Sequence, residues 1–177
     1  MDLLTKYSQL IDEMESNQYH YQGQIFNDRS DRIVVIMGRR SGKSQVVVQR
    51  ALKLTGRILI ATHNSMLASI MFDKIKAAIP ERLLSVSRSS SKEIETTYGA
   101  TVHIVSNTGS LLGRTYDHIM IDEPSYMDED TISDIFASGM NATKLLIGTP
   151  LGMPDTLYDY YYDPRWSRYR INWEDTV

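Results

Sequence analysis

A lysine and a serine close a glycine-containing loop, and about eighty residues later two carboxylates end an apolar run. These are the residues whose types and spacing could do chemistry. The first group is Gly38-Arg39-Arg40-Ser41-Gly42-Lys43-Ser44 and the second is Asp122-Glu123. A loop of this kind at the start of a helix aims backbone N–H groups and the helix N-terminus at phosphate oxygens. Lys43 would reach β- and γ-phosphates, and the Ser44 hydroxyl would ligate Mg²⁺. Asp122 would hold that ion through a water, and Glu123 would orient and deprotonate an attacking water. Together the two groups suit hydrolysis of a phosphoanhydride.

The elements that must position them are legible on both sides. Ile33 to Met37 is an unbroken apolar run, the mark of a central strand in a parallel sheet. Ser44 to Leu54 reads as a helix, with Val47, Ala51 and Leu54 at helical spacing and Gly56 placed to end it. The loop therefore lies between strand and helix, where a phosphate-binding loop must lie. It departs from G-x-x-x-x-G-K-[ST]: Met37 occupies the first glycine's position, and Gly38 follows one place late. His118 to Ile121 predicts a second buried strand delivering Asp122 and Glu123.

Composition bounds the rest. At 177 residues the chain is long enough for a substantial core and is read as one domain. It has no cysteine, which excludes disulfides, thiolate zinc sites and a cysteine nucleophile. No stretch approaches membrane-spanning length, and the N-terminus carries no secretory pattern. A net charge of −3 argues against a uniformly basic nucleic-acid coat. The charge is unevenly placed, however. Residues 29–57 carry Arg29, Arg32, Arg39, Arg40, Lys43, Arg50, Lys53 and Arg57 against Asp31 alone, whereas residues 117–134 are acidic with no Lys or Arg.

Leu3, Tyr7, Leu10, Ile11 and Met14 predict an amphipathic helix over 2–16. A polar stretch, Ser16 to Gln24, follows. Arg57 to Thr62 reads as a strand, and a helix capped by Asn64 or Ser65 runs to about Ala78. Ser85 to Lys92 reads as a serine-rich loop, Glu93 to Val105 as a hairpin around Tyr98-Gly99, 130–138 as a helix, and 144–147 as a strand entering Gly148-Thr149-Pro150. Beyond Pro150 the chain reads as irregular and Tyr-rich. Alternating strands and helices predict an α/β fold: a three-layer P-loop NTPase with a mostly parallel central sheet, helices on both faces and an added β-hairpin. Residues 1–17 form its N-terminal helix, 18–150 its core, and 151–177 its C-terminal segment. Ligands in such sheets bind at the carboxyl ends of the strands, where the loop, Asp122-Glu123 and Thr149 would converge.

Over roughly residues 18–165 the motif order resembles the ATPase domain of the large terminase subunit, the motor that packages DNA into tailed bacteriophage heads. Tyr21-Gln22 is similar to that family's adenine-recognition glutamine, with Gln24 as the alternative. The loop from Gly38 to Ser44 resembles its altered Walker A, in which a basic residue in the first half is typical. Leu112-Gly113-Arg114, followed by Asp117 and the Asp-Glu strand, resembles the stretch before its Walker B. Ile147 to Pro150 resembles its coupling motif. The resemblance implies ATP and Mg²⁺ as ligands, with Gln22 on adenine, Arg39 on the γ-phosphate in cis, and Thr149 coupling hydrolysis to movement. It also implies an arginine supplied between subunits. The family position falls on Leu112, so Arg114 is the nearest substitute.

Implied partners are double-stranded DNA, a portal and a small terminase subunit, with a homo-oligomeric ring on the procapsid, no membrane, and a host-cell cytoplasmic setting. Large terminases carry a nuclease domain after the ATPase domain. None fits before Val177, so no nuclease activity is expected from these residues. Two other readings stay open: a helicase-like P-loop ATPase acting on nucleic acid, and a non-catalytic nucleotide-binding assembly module that would not need Glu123. Arg88 and Lys92 would either touch DNA phosphate or sit in a solvated turn. Tyr158 to Tyr162 would either stack on bases or pack against the sheet.

Overall fold

The apolar run after Asp31 forms strand β1 (Arg32–Met37), and its alternation divides the molecule into layers. Ile33, Val35 and Met37 pack into one hydrophobic cluster, Val34 and Ile36 into another, because successive strand side chains point to opposite faces. The computed structural model describes residues 2–16, 18–90, 93–106, 111, 113–152 and 155–172. On the first face pack helices α1 (Leu3–Ser16), α2 (His20–Asn27), α3 (Lys43–Lys53) and α4 (Ser65–Ala78), through Leu10, Ile25, Val47 and Ile75 among others. On the second lie α5 (Glu129–Ala137) and α6 (Thr156–Tyr162), through Ile132, Ile135 and Leu157.

The remaining strands are β2 (Gly56–Thr62), β3 (Leu84–Ser90), β4 (Glu93–Thr96), β5 (Ala100–Val105), β6 (His118–Asp122), β7 (Thr143–Gly148) and β8 (Ser167–Ile171). They form one sheet of order β3-β4-β5-β2-β6-β7-β1-β8. From β5 to β8 every neighbouring pair is parallel, and β3 and β4 extend the sheet as antiparallel strands. This is the expected three-layer α/β architecture, with the β4–β5 hairpin in place. Strand β7 lies between β6 and β1, with Asp122 opposite Ile147 and Ile36 opposite Gly148. The ends of these three strands are therefore level. Among the described residues no helix is long and apolar enough to cross a membrane.

Three segments differ from the sequence reading. The stretch from Ser16 to Gln24 contains the start of α2, not simply a polar connection. At eight residues this helix is too short to show a clear period. Its first turn is closed by one side chain: Gln22 accepts from the Tyr19 N–H at 3.2 Å. Ser85 to Ser90 is strand rather than loop, because pairing with β4 supplies backbone partners that serine-rich composition does not announce. Lys92 and the Arg88 side chain lie outside the described residues. Regular elements also form after Pro150, α6 and β8 among the described residues. Asp155 caps α6 by accepting from the Leu157 N–H at 2.8 Å, and β8 pairs with β1. Tyr158, Tyr160 and Tyr161 pack against the second cluster, which corrects the irregular reading and takes the packing alternative. Tyr162 stays exposed.

Candidate nucleotide site

Strand β1 ends at Met37, and the loop that follows turns into α3 through two left-handed residues, Arg40 (φ 63°) and Gly42 (φ 83°). Gly42 is the helix cap and has no side chain to spend on it, so the first-turn N–H groups of Lys43 and Ser44 find no acceptor among the described residues. Unpartnered donors at a helix N-terminus make an anion site. The loop is braced from within and from outside. The Ser41 hydroxyl donates to the Gly38 carbonyl at 2.6 Å, and the Tyr21 hydroxyl donates to the Ser41 carbonyl at 2.9 Å. Gln22 is buried against the loop, and a Cβ on Gly42 would lie 2.8 Å from its Nε2. Glycine is needed there for both its dihedral and its space. Gln24 instead faces His20, 3.1 Å away, on the exposed side of α2.

Strands β6 and β7 bring the other groups to Lys43. Its ammonium donates to the Gly38 carbonyl at 2.9 Å and the Thr149 hydroxyl at 2.8 Å, and lies 3.3 Å from Glu123 Oε1. Glu123 Oε2 accepts from the Thr149 N–H at 2.8 Å, and the Thr149 hydroxyl donates to the Met37 carbonyl at 3.0 Å. Glu123 itself has a left-handed backbone (φ 61°) and caps a 3₁₀ turn, Pro124–Tyr126. A non-glycine residue there is strained, and its surroundings must hold it. One restraint is its N–H, which donates to the Ile147 carbonyl at 2.8 Å. Another is Gly148: a Cβ at that position would come 3.2 Å from Glu123 Oε2 and 3.0 Å from Pro124 Cδ.

Asp122 is buried beside this cluster. Burial pushes its carboxyl up to about 6, the Glu123 charge adds to the rise, and Lys43 and Lys74 oppose it. A cavity of about 440 Å³ opens over the group, lined by Arg39, Arg40, Gly42, Lys43, Ser44, Gln45, Lys74 and Glu123. Two other cavities, about 140 Å³ beside His63 and Tyr126 and about 320 Å³ beside Arg57 and Arg114, lack this convergence of loop donors and carboxylates.

Gly38, Arg39, Arg40, Ser41, Gly42, Lys43, Ser44, Asp122, Glu123, Thr149 and Gln22 are thus brought to one place. Arg114 is not. It precedes β6 and pairs with Glu93 at 2.9 Å, at the amino ends of the strands. The length of β6, about 13 Å at 3.3 Å per residue, separates that end from Asp122. Leu112 lies outside the described residues. Sequence reasoning missed Lys74, a charged residue on a helix with nothing in its spacing to mark it, and the steric need for Gly148. The anchoring role of Tyr21 was signalled only by its adjacency to Gln22.

The donor set suits a magnesium ion carried in with phosphate. No cluster of three or more acidic or histidine side chains occurs among the described residues. Ser44 and Asp122 provide the sparse oxygen set typical of an ion otherwise held by phosphates and water.

No family model and no curated protein sequence matches the chain. Solved structures do. The large terminase ATPase domain of Thermus phage P74-26 superimposes with a TM-score of 0.72 at 16% identity, covering 92% of this chain and 85% of that domain. The HK97 bacteriophage large terminase superimposes at 0.74 and 12% identity, covering 93% of this chain but 43% of that protein. The UvsW helicase from bacteriophage T4 reaches 0.59 at 15% identity, with 92% and 66% covered. The chain therefore has the fold of phage large terminase ATPase domains and spans less than half of the HK97 large terminase chain.

Proposed function

We propose that this chain is a Mg²⁺-dependent ATPase, the motor domain of a terminase large subunit that drives double-stranded DNA into a procapsid. The observation that carries the reading is the contact of Lys43, Glu123 and Thr149, delivered by three adjacent strands, at the mouth of a glycine-braced loop. A similarly folded large terminase from a thermophilic bacteriophage was crystallised with ADP and with ATP-γ-S.

In this reading the α3 N-terminus and the Gly38–Ser44 loop seat the phosphates, and Gln22 serves adenine. Ser44 and Asp122 would hold Mg²⁺, which would supply neutralisation of phosphate charge. Lys43 leaves Glu123 for the phosphates. The freed Glu123 carboxylate accepts a proton from the attacking water as the water oxygen bonds to the γ-phosphorus, the bond from that phosphorus to the β,γ-bridging oxygen breaks, and ADP leaves. Arg39 meets the γ-phosphate. Thr149 touches both Lys43 and Glu123, so it feels whether they face each other or a nucleotide. Arg114 acts, if at all, on a neighbouring subunit's nucleotide, in a homo-oligomeric ring docked on a portal with a small terminase subunit in the host cytoplasm. Residues 1–177 work as one ATPase unit without nuclease chemistry.

Glu123→Gln tests the assignment. ATP hydrolysis by the chain assembled on DNA or procapsids is expected to fall at least about 100-fold, with Mg-ATP-γ-S affinity kept within about threefold. Unchanged hydrolysis in this variant removes Glu123 from catalysis. If the wild-type chain also fails to hydrolyse ATP under those conditions, it is a non-catalytic nucleotide-binding module. The UvsW likeness supports a second reading, a helicase-like ATPase. ATP-dependent strand separation by the chain, without translocation of intact duplex, would favour it.

A further inference from the structure

One cation in the nucleotide cavity belongs to neither sequence motif. Lys74 comes from α4, the helix after β2, and shares the cavity with Arg39, Arg40, Lys43 and Glu123. Its helix buries Met71 and Ile75 and leaves Lys74 exposed. An exposed helical lysine is ordinarily just a solvated charge. This one differs in what it faces. It forms no ion pair among the described residues, and it lines the cavity together with Lys43 and Glu123. Lys74 thus adds a positive charge, from a helix outside both motifs, to the cavity that Glu123 lines.

That cavity poses an electrostatic problem. A nucleoside triphosphate must bring its terminal phosphate toward Asp122 and Glu123, two carboxylates that repel it. Lys43 neutralises Glu123 at 3.3 Å. When Lys43 turns to the phosphates, Glu123 loses that partner, and a further cation from outside the loop in the same cavity offsets the repulsion. Lys74 is the side chain so placed. We propose that Lys74 is a binding residue for the terminal phosphate of a Mg-nucleoside triphosphate, supplied by α4, and that it favours triphosphate over diphosphate. This rests on the nucleotide-site reading above.

The test is binding rather than turnover. Dissociation constants for Mg-ATP-γ-S and Mg-ADP are measured by titration calorimetry for the wild-type chain, Lys74→Met, Lys74→Glu, Lys74→Arg and Lys43→Met, with thermal melts showing that each is folded. Lys74→Met is expected to weaken ATP-γ-S by about 3- to 10-fold and ADP by less than about twofold, as suits one partly solvated charge. Lys74→Glu is expected to weaken ATP-γ-S further, and Lys74→Arg to stay within about twofold of wild type. Raised salt is expected to narrow the gap between wild type and Lys74→Met. The proposal is overturned if Lys74→Met and Lys74→Glu bind ATP-γ-S as wild type does, or if both nucleotides weaken equally. Wild-type chain that binds neither nucleotide, or Lys43→Met that binds both as wild type does, would sink the site reading itself and Lys74 with it.

Discussion

Glu123 is held in a backbone conformation that its residue type disfavours, beside a glycine whose missing side chain gives its carboxylate room. Strain of this kind persists only where neighbours over-determine it. Gly148→Ala is therefore expected to displace the carboxylate, lowering ATP hydrolysis about 10- to 100-fold while ATP-γ-S affinity changes less than about twofold, as comparison of turnover with calorimetry checks. Asp122 gives a pH prediction. Its carboxyl stands at about 6 in the folded protein against an ordinary 3.8, chiefly through burial. The folded state then holds a proton that the unfolded state has released, so this residue's contribution to stability falls as pH rises from about 4 to 6 and is level above. Asp122→Asn is expected to be on the order of 2 kcal/mol more stable than wild type at pH 7.5, with the difference disappearing by pH 4. Urea midpoints at the two pH values measure it.

At the scale of elements, α2 matters because it carries Tyr21 and Gln22 to the loop, and α3 holds it there. Arg50 Nη1 donates to the carbonyls of Ile25 (3.2 Å), Phe26 (3.0 Å) and Asp28 (2.7 Å), and Lys53 Nζ donates to Phe26 O at 3.1 Å. Cations at a helix C-terminus satisfy its orphan carbonyls and its dipole. Arg50 is buried, so Arg50→Met is expected to cost about 2–3 kcal/mol in denaturant unfolding. It is also expected to weaken ATP-γ-S binding, because α2 loses its tether. Tyr21→Phe, which removes only the bond to Ser41, is expected to weaken nucleotide binding with a stability loss of about 1 kcal/mol. None of this tether was visible in sequence. In sequence Arg50 and Lys53 are two members of the basic group over 29–57, and nothing local says that another helix's carbonyls will cover them. The α3 helix itself was legible, because its apolar spacing and following glycine are local signals.

For the whole molecule, the unforeseen part is the C-terminal edge. Strand β8 covers β1, the strand that launches the phosphate loop, and Trp166 just before it is buried among Phe136 and Tyr160. Trp166→Ala is expected to cost about 3–5 kcal/mol, read as a lower denaturant midpoint. Tyrosines in a row advertise neither strand nor helix, so their partners had to come from the fold. The same holds for β3, whose serines become a strand only beside β4.

The chain's own residues determined what is local. The unbroken run Ile33 to Met37 can be satisfied only by burial on both faces, so a covered parallel sheet followed from composition alone. Glycine at 42 and lysine at 43, between that run and a helical period, announced a loop able to face phosphate. Only the tertiary structure decided that β7 lies between β1 and β6, and that Thr149 therefore stands between Lys43 and Glu123. Strand order is a property of contacts among residues about a hundred positions apart, whereas periodicity reports only the surroundings of each segment. The same reason hid Lys74, which reaches the cavity through the packing of α4 rather than through any motif.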